Sequence, residues 1–406
     1  MQAMKSYAFQ VDPYDDYFFE GLGRQNMSFH HALGELIDNS IAASPFPFLV
    51  DVYLVDAGEG IVTVKVSDSG SGIALKDLTS RALKLGGRPI SGNRLNEHGF
   101  GLKNALCSFT GNKLKFCVQT RDAEAFEAGV FHEVVGPFKR EMTATERPSS
   151  EWPPEGMEGS GTVVTVDTTL AYLQGVQQTR GPKATNLATL TKHLREHLGV
   201  MYRGFLRTLI PGQGKAQGRI RVHQGGDTHD IEGLEVPMNS IRLEQIPFTA
   251  GGTNYTATYR HGVLDEAVRD SGGFSIYYQG TIPTQGIDVA IGGRTIAVHQ
   301  LDEIWDVQRH NKYNNFVGQL VIPEEVPRDY LRSINNKSAY DIQDDIWQTL
   351  FHELDANFPP PVEARAQSER EQRDKLADNL KKYRPEDEIV TEYAVWQSAV
   401  KIDIST

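Results

Sequence analysis

Residues 27–44 read MSFHHALGELIDNSIAAS, and how they fold decides how the rest of the chain is understood. Leu33, Leu36, Ile37 and Ile41 recur at the spacing of one helix face. Ser28 stands where an N-cap belongs, and Pro45 and Pro47 stop the helix. Glu35, Asp38, Asn39 and Ser40 interrupt the apolar run. Glu35 and Asn39 are four apart and therefore share a face. Asn39 can offer a neutral oxygen to Mg²⁺, which prefers oxygen ligands and keeps several waters. Glu35, one turn back, can hold and deprotonate a water. Asp38 points about 100° away from Asn39, and is expected to hydrogen-bond a neighbouring loop or strand.

Working outward, residues 51–73 read DVYLVDAGEGIVTVKVSDSGSGI, two alternating β-rich runs about a Gly58–Gly60 turn, hence a hairpin. Its second strand ends at Asp68, followed by Gly70 and Gly72. A carboxylate there can accept a hydrogen bond from an amino group, and the glycines let backbone approach closely. Residues 75–85 read as helical, and 86–98 (GGRPISGNRLNEH) as a polar, glycine-rich loop carrying Arg88, Asn93, Arg94 and Asn96. Gly99, Phe100 and Gly101 then open a helix that begins with Leu102 and Lys103. Backbone N–H groups at such a start can point at phosphate oxygens, and Lys103 adds positive charge. Three strand-like runs follow, KLKFCVQT, AGVFHEVV and GTVVTVDTT, with residues 142–160 expected as a surface loop between the last two. No GxxxxGK[ST] segment occurs, which excludes a P-loop, and Gly21-Leu22-Gly23 is too short for a dinucleotide fingerprint.

Four pieces thus stand in order: Glu35-Leu-Ile-Asp38-Asn39, Asp68-Ser-Gly70-Ser-Gly72, Gly99-Phe100-Gly101-Leu102-Lys103 and Gly161-Thr162. Together they resemble the GHKL superfamily, which includes gyrase, heat-shock chaperone ATPases, histidine kinases, MutL and the MORC ATPases. The resemblance implies a Bergerat-type α/β sandwich that binds ATP with Mg²⁺. It assigns Glu35 the base, Asn39 the metal ligand, Asp68 the adenine-reading carboxylate, and Thr162 a hydroxyl near adenine. It makes residues 86–98 an ATP lid, from which Arg88 and Arg94 could reach phosphate, although exposed lid arginines are more often solvated. The GFGLK form is closest to the MORC type.

The expected fold class is α+β: an ATP-binding domain over residues 1–172, a transducer-like α/β domain over 173–358 and a charged helical tail over 359–406. Residues 185–210 read as one long amphipathic helix, and β-rich stretches are expected at RIRVHQ and from FSIYYQGTIP to RTIAVHQ. The resemblance makes Lys337, in RSINNKSAYD, the lysine that reaches the γ-phosphate, with Lys312 as its rival. It also implies an ATP-dependent homodimer and a clamp on DNA or a protein partner; it offers residues 1–20 as a swapped arm, beside the simpler reading of a packed or frayed segment. Histidine kinases and the chaperones fit poorly, because the first needs a phospho-acceptor helix pair and the second more chain. The alternative is a nucleotide-gated module that hydrolyses little and regulates an effector partner.

Composition narrows the classes further. The 406 residues suit two globular cores. The net charge of −12 gives no basis for inferring nucleic-acid binding. Two cysteines make neither a disulfide framework nor a zinc motif. No apolar run of about 18 residues occurs, so no membrane partner and a cytoplasmic location are expected.

Overall fold

The computed structural model describes residues 17–24, 27–84, 95, 101–176, 183–206, 217–327, 329–331, 340–341 and 344–361. Its first sheet has eight strands. Six come from the first part of the chain: β1 (Phe48–Gly58), β2 (Ile61–Asp68), β3 (Phe116–Arg121), β4 (Val130–Val135), β5 (Ala144–Pro148) and β6 (Gly161–Thr169). Two come from far beyond, β7 (Gly218–Gln224) and β8 (Asp227–Asp230). The order across the sheet is β5-β4-β3-β6-β2-β1-β7-β8. Every pairing is antiparallel except β1 with β7. At that junction Arg221 grips Asp51, its register partner, through two bonds of 2.5 and 2.6 Å.

The helix expected at 27–44 spans Phe29–Ala43 and buries Leu33, Leu36, Ile37 and Ile41 against the sheet. Ser28 does sit at its N-cap, but its hydroxyl caps no backbone N–H; it faces the rings of His30 and His31 instead. The Gly101–Thr110 helix packs beside Phe29–Ala43. Residues 142–160 are not all loop: Ala144–Pro148 forms an edge strand on β4. Its alternation is hard to read because four of its five side chains face solvent.

The second sheet runs β12-β11-β13-β10-β9, from β9 (Met238–Ala250), β10 (Thr253–Leu264), β11 (Gly286–Ile291), β12 (Arg294–Gln300) and β13 (Phe316–Ile322). The Asp345–Asn357 helix covers one face, bringing Trp347, Leu350 and Leu354 onto Tyr259, Trp305 and Phe316. The chain is therefore α+β, as the sequence suggests. Residues beyond 172 supply strands to both sheets.

Between the sheets lies the Leu187–Met201 helix, shorter than the expected 185–210. It puts Leu190, Leu194 and Leu198 into the first core. Residues 274–281, expected in a β-rich stretch, form no strand. The backbone N–H groups of Ser275, Ile276 and Tyr277 instead converge on the buried Glu196 carboxylate. A charge-assisted acceptor has replaced the ladder partner.

Candidate functional site

Glu35 and Asn39 lie on one face of the Phe29–Ala43 helix, as their spacing requires. Glu35 is buried, whereas Asn39 is half-buried. The Glu35 carboxylate lies directly against the α-carbon of Gly101, where a β-carbon would collide with Oε2. Gly101 begins its helix and is itself buried. Glycine at this position thus lets the Glu35 carboxylate meet the start of a helix, where N–H groups favour anions.

Asp68 ends β2, with Thr162 of β6 directly opposite and Thr120 of β3 opposite Thr162. Its Oδ1 accepts from the backbone N–H of Gly70 at 2.9 Å and of Thr162 at 3.3 Å. Its Oδ2 accepts from the Ser40 hydroxyl at 2.9 Å. Burial pushes the carboxyl up to about 6, while the bonds from Gly70, Ser40 and Thr162 pull it back. The carboxylate is thus held in one orientation. A turn glycine is needed at Gly72, whose φ is +68° and whose α-carbon faces the Arg121 carbonyl. Thr162 shares a 3.0 Å hydroxyl contact with Thr120, and Thr120 accepts from the N–H of Ile73 at 2.7 Å. Ser40, Thr120 and Ser160, which bonds the Gly70 carbonyl at 2.9 Å, are missing from a motif reading. Only Ser40 leaves a trace in the sequence, adjoining Asn39 in the quoted helix.

Lys103 is buried, and its ammonium donates to the Ala82 carbonyl at 3.1 Å. Burial lowers its pKa to about 8. Leu102 packs on the edge of the first core. Asp38 is hydrogen-bonded, as expected, by a residue of a strand, Arg294 of β12 in the second sheet, and by Tyr202, which follows the Leu187–Met201 helix. Lys312 is half-buried, with its ammonium 4.7 Å from the Tyr313 ring. Gly99, Phe100, Arg88, Asn93, Arg94, Asn96 and Lys337 lie outside the described residues, as do the expected swapped arm up to residue 16 and the tail from 362.

A helix carrying a buried carboxylate and an amide, a strand-end carboxylate and a glycine-opened helix converge on one end of the first sheet. That arrangement defines a nucleotide-binding α/β domain. Residues 27–127 match the family described as "Histidine kinase-, DNA gyrase B-, and HSP90-like ATPase", and the chain carries a GHKL ATPase-type ATP-binding domain. No curated protein matches the sequence. Among the solved structures that resemble it, two serve as examples of a distant likeness. The B-subunit of the DNA gyrase from Myxococcus xanthus is 12% identical, with 81% of this chain and 89% of that chain covered and a TM-score of 0.42. The N terminal domain of a DNA repair protein is 14% identical, with 84% and 97% covered and a TM-score of 0.44. No described helix is long and apolar enough to cross a membrane.

Proposed function

We propose that this protein is a Mg²⁺-dependent ATPase that hydrolyses ATP by water attack on the γ-phosphate, with Glu35 as the base. The observation that carries this is the Glu35 carboxylate seated on Gly101, a buried base brought to the helix start that would face phosphate. Asn39 would hold the metal. The residues fit: Asn39 is half-buried on the helix face that carries the buried Glu35, so its amide oxygen stays accessible to an ion that takes its remaining oxygens from phosphate and water. When bound, Mg²⁺ offsets charge on the phosphate oxygens. Asp68 orients the adenine amino group, with Ser40 and the N–H groups of Gly70 and Thr162 fixing its carboxylate. Thr162 stands beside that edge.

The second sheet acts as a transducer of nucleotide state, and ATP closes two copies into a clamp on DNA or a protein partner. Lys337, with Lys312 as rival, answers to the γ-phosphate. The clamp rests on the GHKL resemblance together with the charged contacts that join the two sheets.

The test is Mg²⁺-dependent phosphate release by the wild type beside Glu35→Ala, with ATP affinity and mass measured in parallel. The variant is expected to bind ATP normally and lose about 10²–10⁴-fold in rate. Binding lost together with rate would remove Glu35 from its role. A wild type that binds and dimerises without turnover would instead make the protein a nucleotide-gated module for an effector.

A further inference from the structure

Gly34, Glu35 and Asp38 occupy adjoining turns of the Phe29–Ala43 helix, and residues from far along the chain grip those turns. Arg294, the first residue of β12, inserts a buried guanidinium there. Its Nε donates to Asp38 Oδ1 at 3.1 Å, and its Nη1 donates to the Thr295 carbonyl at 2.6 Å. Its Nη2 lies so close to Gly34 that a β-carbon on that residue would stand 3.1 Å away. Tyr202 completes the grip. Its ring lies 4.7 Å from the Arg294 guanidinium. Its hydroxyl reaches both the Gly34 carbonyl at 3.1 Å and Asp38 Oδ1 at 2.8 Å.

The segments that carry Arg294 and Tyr202 are tied to each other, because the Thr295 hydroxyl donates to the Val200 carbonyl at 3.0 Å, two residues before Tyr202. The turn is thus held through a side chain, a carbonyl and a backbone contact. Glu35 is the next residue after Gly34, and its carboxylate is closed on the far side by Gly101. Burial works against the Arg294 cation, but Asp38, Tyr202 and then Glu35 favour it, so Glu35 lies within its electrostatic reach.

We propose that Arg294, backed by Tyr202, is a positioning residue for Glu35. Through it the placement of the second sheet sets the base, so that water attack depends on that sheet's docking while nucleotide binding does not. The inference rests on the ATPase reading. β12 joins only the second sheet, whereas Asp38 belongs to the helix that carries the base and the metal ligand. A shift of β12 therefore has a direct route to Glu35, whereas it reaches Asp68 only through the Ser40 hydroxyl on the same helix, the N–H groups of Gly70 and Thr162 holding that carboxylate independently.

The experiment compares the wild type with Arg294→Lys, Arg294→Met and the double variant Asp38→Asn/Arg294→Met. It measures Kd for Mg·ATP, kcat, KM and hydrogen exchange across residues 29–43. Arg294→Met strands a buried carboxylate, so the lysine and double variants keep the test alive if it fails to fold. The expected result is an unchanged Kd with kcat reduced about 100-fold, the scale of a catalytic group misplaced by about 1 Å. Exchange across 29–43 should rise, the double variant should stay slow, and lysine should recover part of the rate. Wild-type turnover in the double variant would mean that the pair merely holds the fold and would overturn the proposal, as would equal losses in Kd and kcat. A wild type with no hydrolysis would remove the ATPase reading alone. Exchange would then decide the positioning role, and unchanged exchange would overturn it.

Discussion

Two regions of this molecule bury polar groups for different ends. At the Asp68 end of the first sheet, one carboxylate accepts three hydrogen bonds, two from backbone N–H groups and one from a hydroxyl. None of its partners carries charge. In the seam between the sheets, charge meets charge. Arg203 pairs with Asp288, which also accepts from the Tyr278 hydroxyl and the His299 N–H. Arg294 pairs with Asp38. A carboxylate fixed by neutral donors keeps its charge available to an incoming ligand, whereas a carboxylate matched to an arginine is spent on holding the protein together. The first arrangement suits a site and the second a joint.

Variants can break that contrast. The largest effect on stability is expected from Asp288→Ala. It leaves Arg203 buried without its counter-charge, a loss of about 3–5 kcal/mol, read from the denaturant midpoint. The double variant Asp288→Leu/Arg203→Met should recover most of it. A single variant as stable as the wild type would mean that the seam is not a charged joint.

Acid should act on the seam next. His30, His31 and His197 cluster where the two halves meet, with ring centroids 4.2 Å and 4.8 Å from that of His30. Burial lowers His30 to about 4 and His31 to about 2, and it holds His197 well below its ordinary value. The charge of Arg294 opposes protonation of all three. These groups titrate lower in the fold than in the unfolded chain, so the unfolded chain binds more protons as pH falls below 6.5. Stability is therefore lost on acidification, by on the order of 3 kcal/mol for His30 alone between pH 6.5 and 4. Urea unfolding of His30→Gln against pH should show a flatter acid limb. An unchanged limb would mean that His30 does not drive the loss.

The smallest effect sharpens the other side. The Asp68 carboxyl is raised to about 6, above its unfolded value of 3.8. Its contribution to folding is therefore fully present below 3.8 and lost as pH rises through about 6. Adenine recognition runs the opposite way, since it needs the carboxylate as acceptor. ATP affinity should fall about tenfold per pH unit below 6, measured by calorimetry. Asp68→Asn should bind weakly at every pH with little change in stability, because Ser40 and the backbone donors remain. Affinity flat from pH 7 to 5 in the wild type would separate Asp68 from adenine.

Much of the first site was legible because its signals are local. The four-residue spacing of Glu35 and Asn39 fixes a shared face in any helix. Asp68 before two glycines reads as a strand end and a tight turn. Gly101 could be placed at a helix start, although the carboxylate it accommodates comes from another helix. The misreadings share a cause. Residues 274–281 look like a strand until Glu196 supplies their N–H groups with a better acceptor, and Ala144–Pro148 looks like loop because an edge strand exposed to water has no apolar face to display.

By itself the sequence determined the α+β class, the carboxylate–amide pair of Glu35 and Asn39 on one helix, and the glycines that let backbone approach. Each depends on periodicity or on φ freedom, which act over a few residues. Only the tertiary structure decided that β7 and β8 extend the first sheet, that Ser40 and Thr120 brace the Asp68–Thr162 edge, and that Asp38 faces Arg294. Nothing in the local chemistry of Asp38 selects an arginine 256 positions away. That choice belongs to burial: a carboxylate removed from water must find its counter-charge wherever the packed chain brings one.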